Sequence, residues 1–152
     1  PDCGEDLEFS IRIKKSGYRI GLIEDAYIYH KRKATLKSFY QQMVWFGKSR
    51  INVQRFFPDS FKPVHLLPAC FYVYLLALLF SLVIFPVFGK LMLLAMAVYF
   101  LLVFVEAIFR YRNLSVALLS LITAASVFLG YGWGLIRYHF QQKGPYIKGK
   151  TA

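Results

Sequence analysis

Three long apolar tracts dominate the second half of the chain, at residues 66–85, 91–109 and 114–136. A helix needs about 20 apolar residues to cross the hydrocarbon core of a bilayer, and each tract is long enough. Pro86 and Gly89 separate the first two tracts, and the polar stretch 110–113 separates the second from the third. The pattern predicts three membrane-spanning helices with short connections.

An amphipathic pattern precedes them. Between residues 36 and 51, apolar residues recur at three- and four-residue spacing, with polar residues on the opposite face. Thr35 stands just before this stretch and suits a helix N-cap. The basic and aromatic composition is typical of a helix in the lipid headgroup layer; an ordinary helix packed on a sheet is the alternative. The apolar positions are Leu36, Phe39, Tyr40, Met43, Val44, Phe46, Gly47 and Ile51.

The start of the chain carries a mixed signal. Residues 7–13 alternate between apolar and polar, which alone favours a strand. Two lysines ahead of Gly17, however, form a typical helix end, and Asp6 suits a positive helix start. We therefore predict a helix over residues 6–16.

Two short segments follow, at residues 18–23 and 26–30, rich in aromatic and β-branched side chains. Glu24 and Asp25 lie between them and suit a turn. This pattern predicts two short strands or extended pieces.

Composition and charge favour a membrane protein. The chain is 57% hydrophobic with a formal net charge of +11, and such a charge suits either a nucleic acid or an anionic membrane. The apolar tracts favour the membrane, so we expect no nucleic-acid partner. Cys3 and Cys70 are too few and too far apart for a disulfide framework or a metal-ligand spacing.

The charge distribution gives a conflicting orientation. Basic residues favour cytoplasmic loops, which predicts a cytoplasmic first half and a cytoplasmic connection at Arg110 and Arg112. Three crossings would then place Arg137 outside, against the rule. Either the N-terminal charge dominates, or one apolar segment is re-entrant or interfacial. Because the sequence opens on Pro1, without an initiator Met or a signal sequence, we expect a fragment of a longer protein.

Two motifs in the apolar half have alternative readings. The run 130–134, Gly-Tyr-Gly-Trp-Gly, contains a Gly-x-x-x-Gly pair that allows close helix packing, and its Tyr131 and Trp133 also suit the aromatic belt at the membrane surface. Glu106 and Arg110 are four residues apart, which favours an ion pair on one helix face over a proton path.

Candidate chemistry centres on Glu5 and Asp6. The positive end of a helix favours negative charge there, and a carboxylate can accept a proton from an attacking hydroxyl. Simple helix capping is the alternative for an isolated Glu-Asp pair.

The surroundings of this pair resemble a known family. From Cys3 to Arg50, the shared features are Gly-Glu-Asp before a helix, Gly-Tyr-Arg-Ile, a predicted strand ending in histidine, a basic run, and an aromatic helix with a glycine and an arginine. In this order they resemble the C-terminal end of the catalytic domain of family 2 glycosyltransferases, an inverting group with the GT-A fold. The resemblance implies an α/β fold for this end, followed by an α-helical membrane region of about three hydrophobic segments.

The resemblance also implies catalytic and donor-side roles. Asp6 would be the general base that deprotonates the acceptor hydroxyl, and Glu5 would help to position it. His30 would lie near the donor diphosphate or its divalent cation, Mg²⁺ or Mn²⁺, as a possible metal ligand; a histidine capping a surface strand is the alternative. Arg32, within a basic run, would neutralise the leaving phosphate or contact anionic lipid.

An acceptor-side motif matches in part. Processive members carry Gln-x-x-Arg-Trp on a helix that lines the acceptor site. Gln41 and Trp45 match this motif, but Val44 occupies the position of the arginine. The departure puts processive polymerisation in doubt.

The sequence thus leads us to expect a membrane-bound glycosyltransferase fragment that lacks its donor-binding half. Its partners would be a nucleoside-diphosphate sugar, a lipid-linked or glycan acceptor, and membrane lipids. We expect it in the inner cell membrane with its catalytic part cytoplasmic. A small non-enzymatic membrane protein is the alternative. The expected divisions are a catalytic end at 1–34, an interface helix and linker at 35–63, a membrane region at 64–137 and a basic tail at 138–152.

Overall fold

The computed structural model describes residues 4–30 and 35–141. Within these ranges the chain forms α-helices joined by turns, and two short 3-10 turns, Pro58–Ser60 and Pro63–Leu66, link the second helix to the third. The α-helices are α1 Glu5–Lys15, α2 Leu36–Phe56, α3 Leu67–Ile84, α4 Pro86–Tyr111 and α5 Leu114–Gln141.

The expected α/β fold is wrong, because the described residues contain no strand. The turn at Glu24 and Asp25 is confirmed, and the Ala26 amide donates to the Ile23 carbonyl at 3.2 Å. The segments around this turn are unpaired. Their residues favour extended backbone, but a strand is stabilised by pairing with a neighbour.

The exposure of these segments shows that nothing in the described chain covers them. Leu22 is 90% exposed and Tyr29 is 94% exposed. The strand signal came from composition alone, and composition does not supply a partner.

The predicted helix at the start of the chain is confirmed. It begins one residue earlier than expected, at Glu5, and ends with Ser16 as its C-cap. Gly17 then adopts a left-handed φ of 85°, the conformation that glycine adopts without steric cost. The Tyr18 amide reaches back to the Ile13 carbonyl and closes the helix end.

The predicted amphipathic helix is confirmed as α2. The Thr35 hydroxyl accepts a hydrogen bond from the Ser38 amide at 3.2 Å, and the Ser38 hydroxyl accepts one from the Thr35 amide at 3.3 Å. This reciprocal pair satisfies amides that the first helical turn cannot satisfy. The buried face includes Met43, Gly47 and Ile51, which are four residues apart.

Glycines hold α2 against the C-terminal half of α5. A Cβ added to Gly134 would overlap the Val44 carbonyl oxygen, and one added to Gly47 would overlap the Tyr131 carbonyl oxygen. A Cβ on Gly130 would lie 2.8 Å from the Met43 Cβ. The two backbones are therefore in direct contact, which confirms the packing role of the glycine run.

The predicted membrane segments are confirmed as helices. The helical stretches Pro63–Ile84, Pro86–Tyr111 and Leu114–Gln141 are long and apolar enough to cross a membrane. Only 11%, 6% and 11% of their most apolar windows are buried within the chain. Since so much apolar surface stays uncovered, a lipid environment suits these helices.

The break predicted between the first two spans is partly wrong. Pro86 does start a new helix, but Gly89 lies inside α4 and is buried. A Cβ at Gly89 would lie 2.6 Å from the Leu82 amide nitrogen. Gly89 therefore allows α4 to pack on the end of α3 and does not interrupt it.

Polar side chains stabilise the bundle at a few points. The Tyr72 hydroxyl donates to the Leu129 carbonyl at 2.7 Å and ties α3 to α5, while the Tyr74 hydroxyl donates to the Met92 carbonyl and ties α3 to α4. Glu106 and Arg110 form the expected ion pair at 3.6 Å. Such interactions contribute modestly in membranes, commonly about 0.6 kcal/mol for a hydrogen bond between helices.

The glycine contact yields a stability prediction. Replacing Gly134 by Ala should destabilise the bundle by about 1–3 kcal/mol, because the added methyl group must push two backbones apart. Thermal unfolding in detergent, followed by circular dichroism, should show a lower midpoint for Gly134→Ala.

Gly21→Ala is the matched control, since no atom lies within 4 Å of a Cβ at that position. Its midpoint should equal that of the parent chain. Equal midpoints for both variants would mean that α2 and α5 are not in backbone contact.

Candidate functional site

The acidic helix α1 contacts α2 at its start and the 3-10 turn Pro58–Ser60 at its end. At its start, a Cβ on Gly4 would lie 3.0 Å from the Val53 Cγ2 and 3.2 Å from the Ser49 Cβ. Gly4 also has a φ of 80°, so both space and conformation favour glycine there. At its end, the Lys15 ammonium lies 3.7 Å from the Asp59 carboxylate. This exposed ion pair adds little stability, so the glycine contact is the main constraint.

A cleft of about 360 Å³ opens where α1, α2 and α5 meet. This cleft brings Asp6 of the acidic motif next to a residue of the membrane helix α5. Its lining residues are Gly4, Asp6, Leu7, Phe46, Ser49, Arg50 and Tyr131. We call it the acidic-helix cleft.

The acidic-helix cleft combines opposite charges. Asp6 belongs to the first turn of α1, where the helix dipole favours negative charge. Arg50, on α2, is half-buried and lines the cleft together with Tyr131 of α5. The Ser49 hydroxyl donates to the Trp45 carbonyl at 2.8 Å, so its oxygen remains available as an acceptor.

This set of groups suits a polar ligand with hydroxyl or phosphate groups. A carboxylate such as Asp6 can accept a proton from a hydroxyl. The guanidinium of Arg50 offers several N–H donors in a planar arrangement that fits phosphate or carboxylate oxygens. Phe46 adds an apolar surface against which a ring can pack.

The structure separates the residues predicted from sequence. Asp6 lines the acidic-helix cleft, while Glu5 is exposed on the same turn and is not among the lining residues. His30 is exposed and lines neither this cleft nor a second cleft between α2 and α5. Arg32 lies outside the described residues. Among the described residues, Asp6 and His30 thus do not line a common cleft.

The predicted acceptor-side residues lie elsewhere on α2. Gln41 is exposed and lines neither cleft. Trp45 is 52% exposed and lines a second cleft of about 240 Å³ between α2 and α5. We call this the cationic cleft, since Lys48 and Arg137 also line it. Trp45 and Asp6 therefore belong to different clefts.

Sequence reasoning missed two residues of the acidic-helix cleft. Arg50 lies at the end of the family-like segment, and its position four residues after Phe46 places both on one face of α2. Tyr131 had been assigned to the membrane-surface belt. Its neighbours Gly130 and Gly132 were the available signal, because buried glycines bring its backbone close to other helices.

The divalent cation expected in the complete enzyme stays a prediction. Within residues 4–30 and 35–141, no three His, Cys, Asp or Glu side chains come together as a metal-binding group. His30 thus has no set of co-ligands in that part of the chain, and we derive no chemical step through a metal.

Comparison with protein-family models, with curated proteins and with solved structures gave no match. The motif segment and the acidic-helix cleft are therefore the features of the chain that bear on its function.

The position of α2 yields a second prediction. Lys48 and Arg50 flank the contact with α5, and charged side chains are costly in hydrocarbon, so α2 should lie at headgroup depth. In a Trp133→Phe chain reconstituted in bilayers, Trp45 fluorescence should be quenched most by a nitroxide near the headgroup. Strongest quenching by a nitroxide at the bilayer centre would contradict this placement.

Proposed function

We propose that the chain forms the membrane-anchored acceptor side of a family 2 glycosyltransferase. The enzyme would transfer a sugar from a nucleoside-diphosphate donor to a hydroxyl group, with inversion at the anomeric carbon. The acceptor would be a lipid-linked or polysaccharide glycan. The observation that carries this proposal is the opening of Asp6 into a cleft shared with Arg50 and Tyr131.

The chemistry of inversion suits a single carboxylate. The acceptor hydroxyl attacks the anomeric carbon on the face opposite the departing diphosphate, and one base removes its proton. Asp6 would be this base. Asp6 lies in the first turn of α1 and is exposed, so its carboxylate is open to an incoming hydroxyl.

The surrounding residues would hold the acceptor. Arg50 would bind its hydroxyl or phosphate oxygens, and Phe46 would pack against a sugar ring. Glu5, exposed beside Asp6, would help to orient the acceptor. In this proposal, His30 and Arg32 serve the donor side, together with groups outside the described residues that bind the nucleotide and its cation.

The cleft's location suits an acceptor that resides in a membrane. Tyr131 belongs to α5, which is long and apolar enough to cross a bilayer, while Asp6 belongs to the polar helix α1, which contacts α2. A lipid-linked acceptor would thus reach the base without leaving the membrane. The basic first half favours the cytoplasmic face of the inner membrane.

Replacement of Asp6 by Asn tests the proposal. General-base catalysis contributes about 10²–10⁴-fold to turnover. Asn has a similar size and retains helix-capping ability, but it cannot take the proton. In the complete reading frame that contains this sequence, Asp6→Asn should lower sugar transfer at least about 100-fold while donor binding stays the same.

Glu24→Gln and Asp25→Asn are matched controls, because both residues are exposed in the turn after α1. Their turnover should be normal. Normal turnover in Asp6→Asn membranes would refute the base assignment. A complete reading frame without any sugar-transfer activity would favour a non-enzymatic membrane protein.

A further inference from the structure

The cationic cleft holds a positively charged group in a defined position. The Lys48 ammonium lies 5.1 Å from the centre of the Trp45 ring and 4.9 Å from the centre of the Tyr138 ring. Both distances are within the range of cation–π attraction. Because Trp45 is on α2 and Tyr138 is on α5, the two helices together position the charge.

No carboxylate neutralises this cleft within the described residues. Arg137 adds a second positive charge, and Gln141 adds an amide group. None of the lining residues is acidic, and neither Lys48 nor Arg137 forms an ion pair with a described carboxylate. Two adjacent cations without an acid give a positive potential that attracts an anion.

The cleft lies at the polar end of a membrane helix. α5 has 28 residues, which at the helical rise gives a length of about 42 Å, more than the roughly 30 Å of the hydrocarbon core. Its stretch without charged residues ends at Ile136, directly before Arg137. The aromatic rings of Trp45 and Tyr138 suit the headgroup layer, where phospholipid phosphates are found.

We propose that the cationic cleft binds a phosphate group at the membrane surface, supplied by the headgroup of an anionic phospholipid. Lys48 and Arg137 would donate charge-assisted hydrogen bonds to the phosphate oxygens. Gln141 would bond to a neighbouring ester or hydroxyl oxygen of the headgroup. The site does not depend on sugar transfer, so it stands or falls separately from the function proposed for the acidic-helix cleft.

Lipid retention tests this site directly. The full chain is reconstituted in nanodiscs of phosphatidylcholine with phosphatidylglycerol, released from them in the mass spectrometer, and measured by native mass spectrometry. Phosphatidylglycerol should remain bound to the released protein. The loss of one cation that contacts the bound phosphate at the membrane surface is expected to cost about 1 kcal/mol, or about fivefold in affinity. Lys48→Gln and Arg137→Gln should each weaken retention about fivefold, and the double variant about 25-fold.

Controls separate a specific site from general charge attraction. Lys37→Gln removes an exposed cation from α2 and Arg112→Gln removes one beyond the other end of α5, and neither residue lines the cationic cleft. Both variants should retain phosphatidylglycerol normally. Lys48→Arg and Arg137→Lys keep the charge and should retain most of the binding.

A competition experiment with inorganic phosphate identifies the source of the bound phosphate. Inorganic phosphate added to the buffer should not displace the lipid if the headgroup is the ligand; displacement would support the same phosphate site with a soluble source. Equal retention by the parent chain and by a double variant with an unchanged unfolding midpoint would overturn the proposal. If the double variant unfolds, the single variants decide. Normal retention by Lys48→Arg and Arg137→Lys, together with loss of retention in folded Lys48→Gln and Arg137→Gln, supports the proposal. Normal retention in the folded glutamine variants overturns it.

Discussion

The direct backbone contact between α2 and α5 is the constraint on which the described structure depends. Gly47 and Gly134 leave no room for a Cβ, since a methyl group at either position would overlap a carbonyl oxygen of the opposite helix. Close approach in apolar surroundings allows extensive van der Waals contact, which is the main attraction between helices in lipid. The contact positions two faces of α2 relative to α5. One side then forms the acidic-helix cleft with Tyr131, and another forms the cationic cleft with Arg137.

A second glycine contact, between α1 and α2, gives the polar helix α1 a defined position beside the apolar helices. α1 buries no residue of its own and therefore contributes little apolar burial to its attachment. Its position depends on Gly4, which fits between Ser49 and Val53 of α2. Asp6 follows two residues later and lines the cleft. In the proposed function, α1 would supply the base, α2 would supply a cation, and α5 would bring a membrane-bound acceptor close.

Local patterns allowed much of the fold to be predicted from sequence. Apolar tracts marked α3, α4 and α5, and the capping residue Thr35 marked the start of α2, because each signal lies within the element that it describes. For 18–23 and 26–30, predicted as strands or extended pieces, the strand alternative was wrong, since strand formation depends on a partner that composition does not reveal. Arg50 and Tyr131 were missed for a similar reason. They lie far apart in sequence and meet only through the packing of α2 on α5.

The attachment of Gly4 to Ser49 can be measured directly by disulfide formation. The Cβ positions are 3.2 Å apart, close to the separation of about 3.5–4.5 Å found in disulfides. With Cys3 and Cys70 replaced by Ser, the chain carrying Gly4→Cys and Ser49→Cys should form an intramolecular disulfide on mild oxidation in bilayers, seen by mass spectrometry as the loss of two hydrogens. A Gly21→Cys and Ser49→Cys chain is the control and should stay reduced, because Gly21 has no neighbour within 4 Å. Two free thiols in the Gly4 and Ser49 variant, at an unfolding midpoint equal to that of the parent chain, would contradict the account, since Asp6 would then not be held at the cleft.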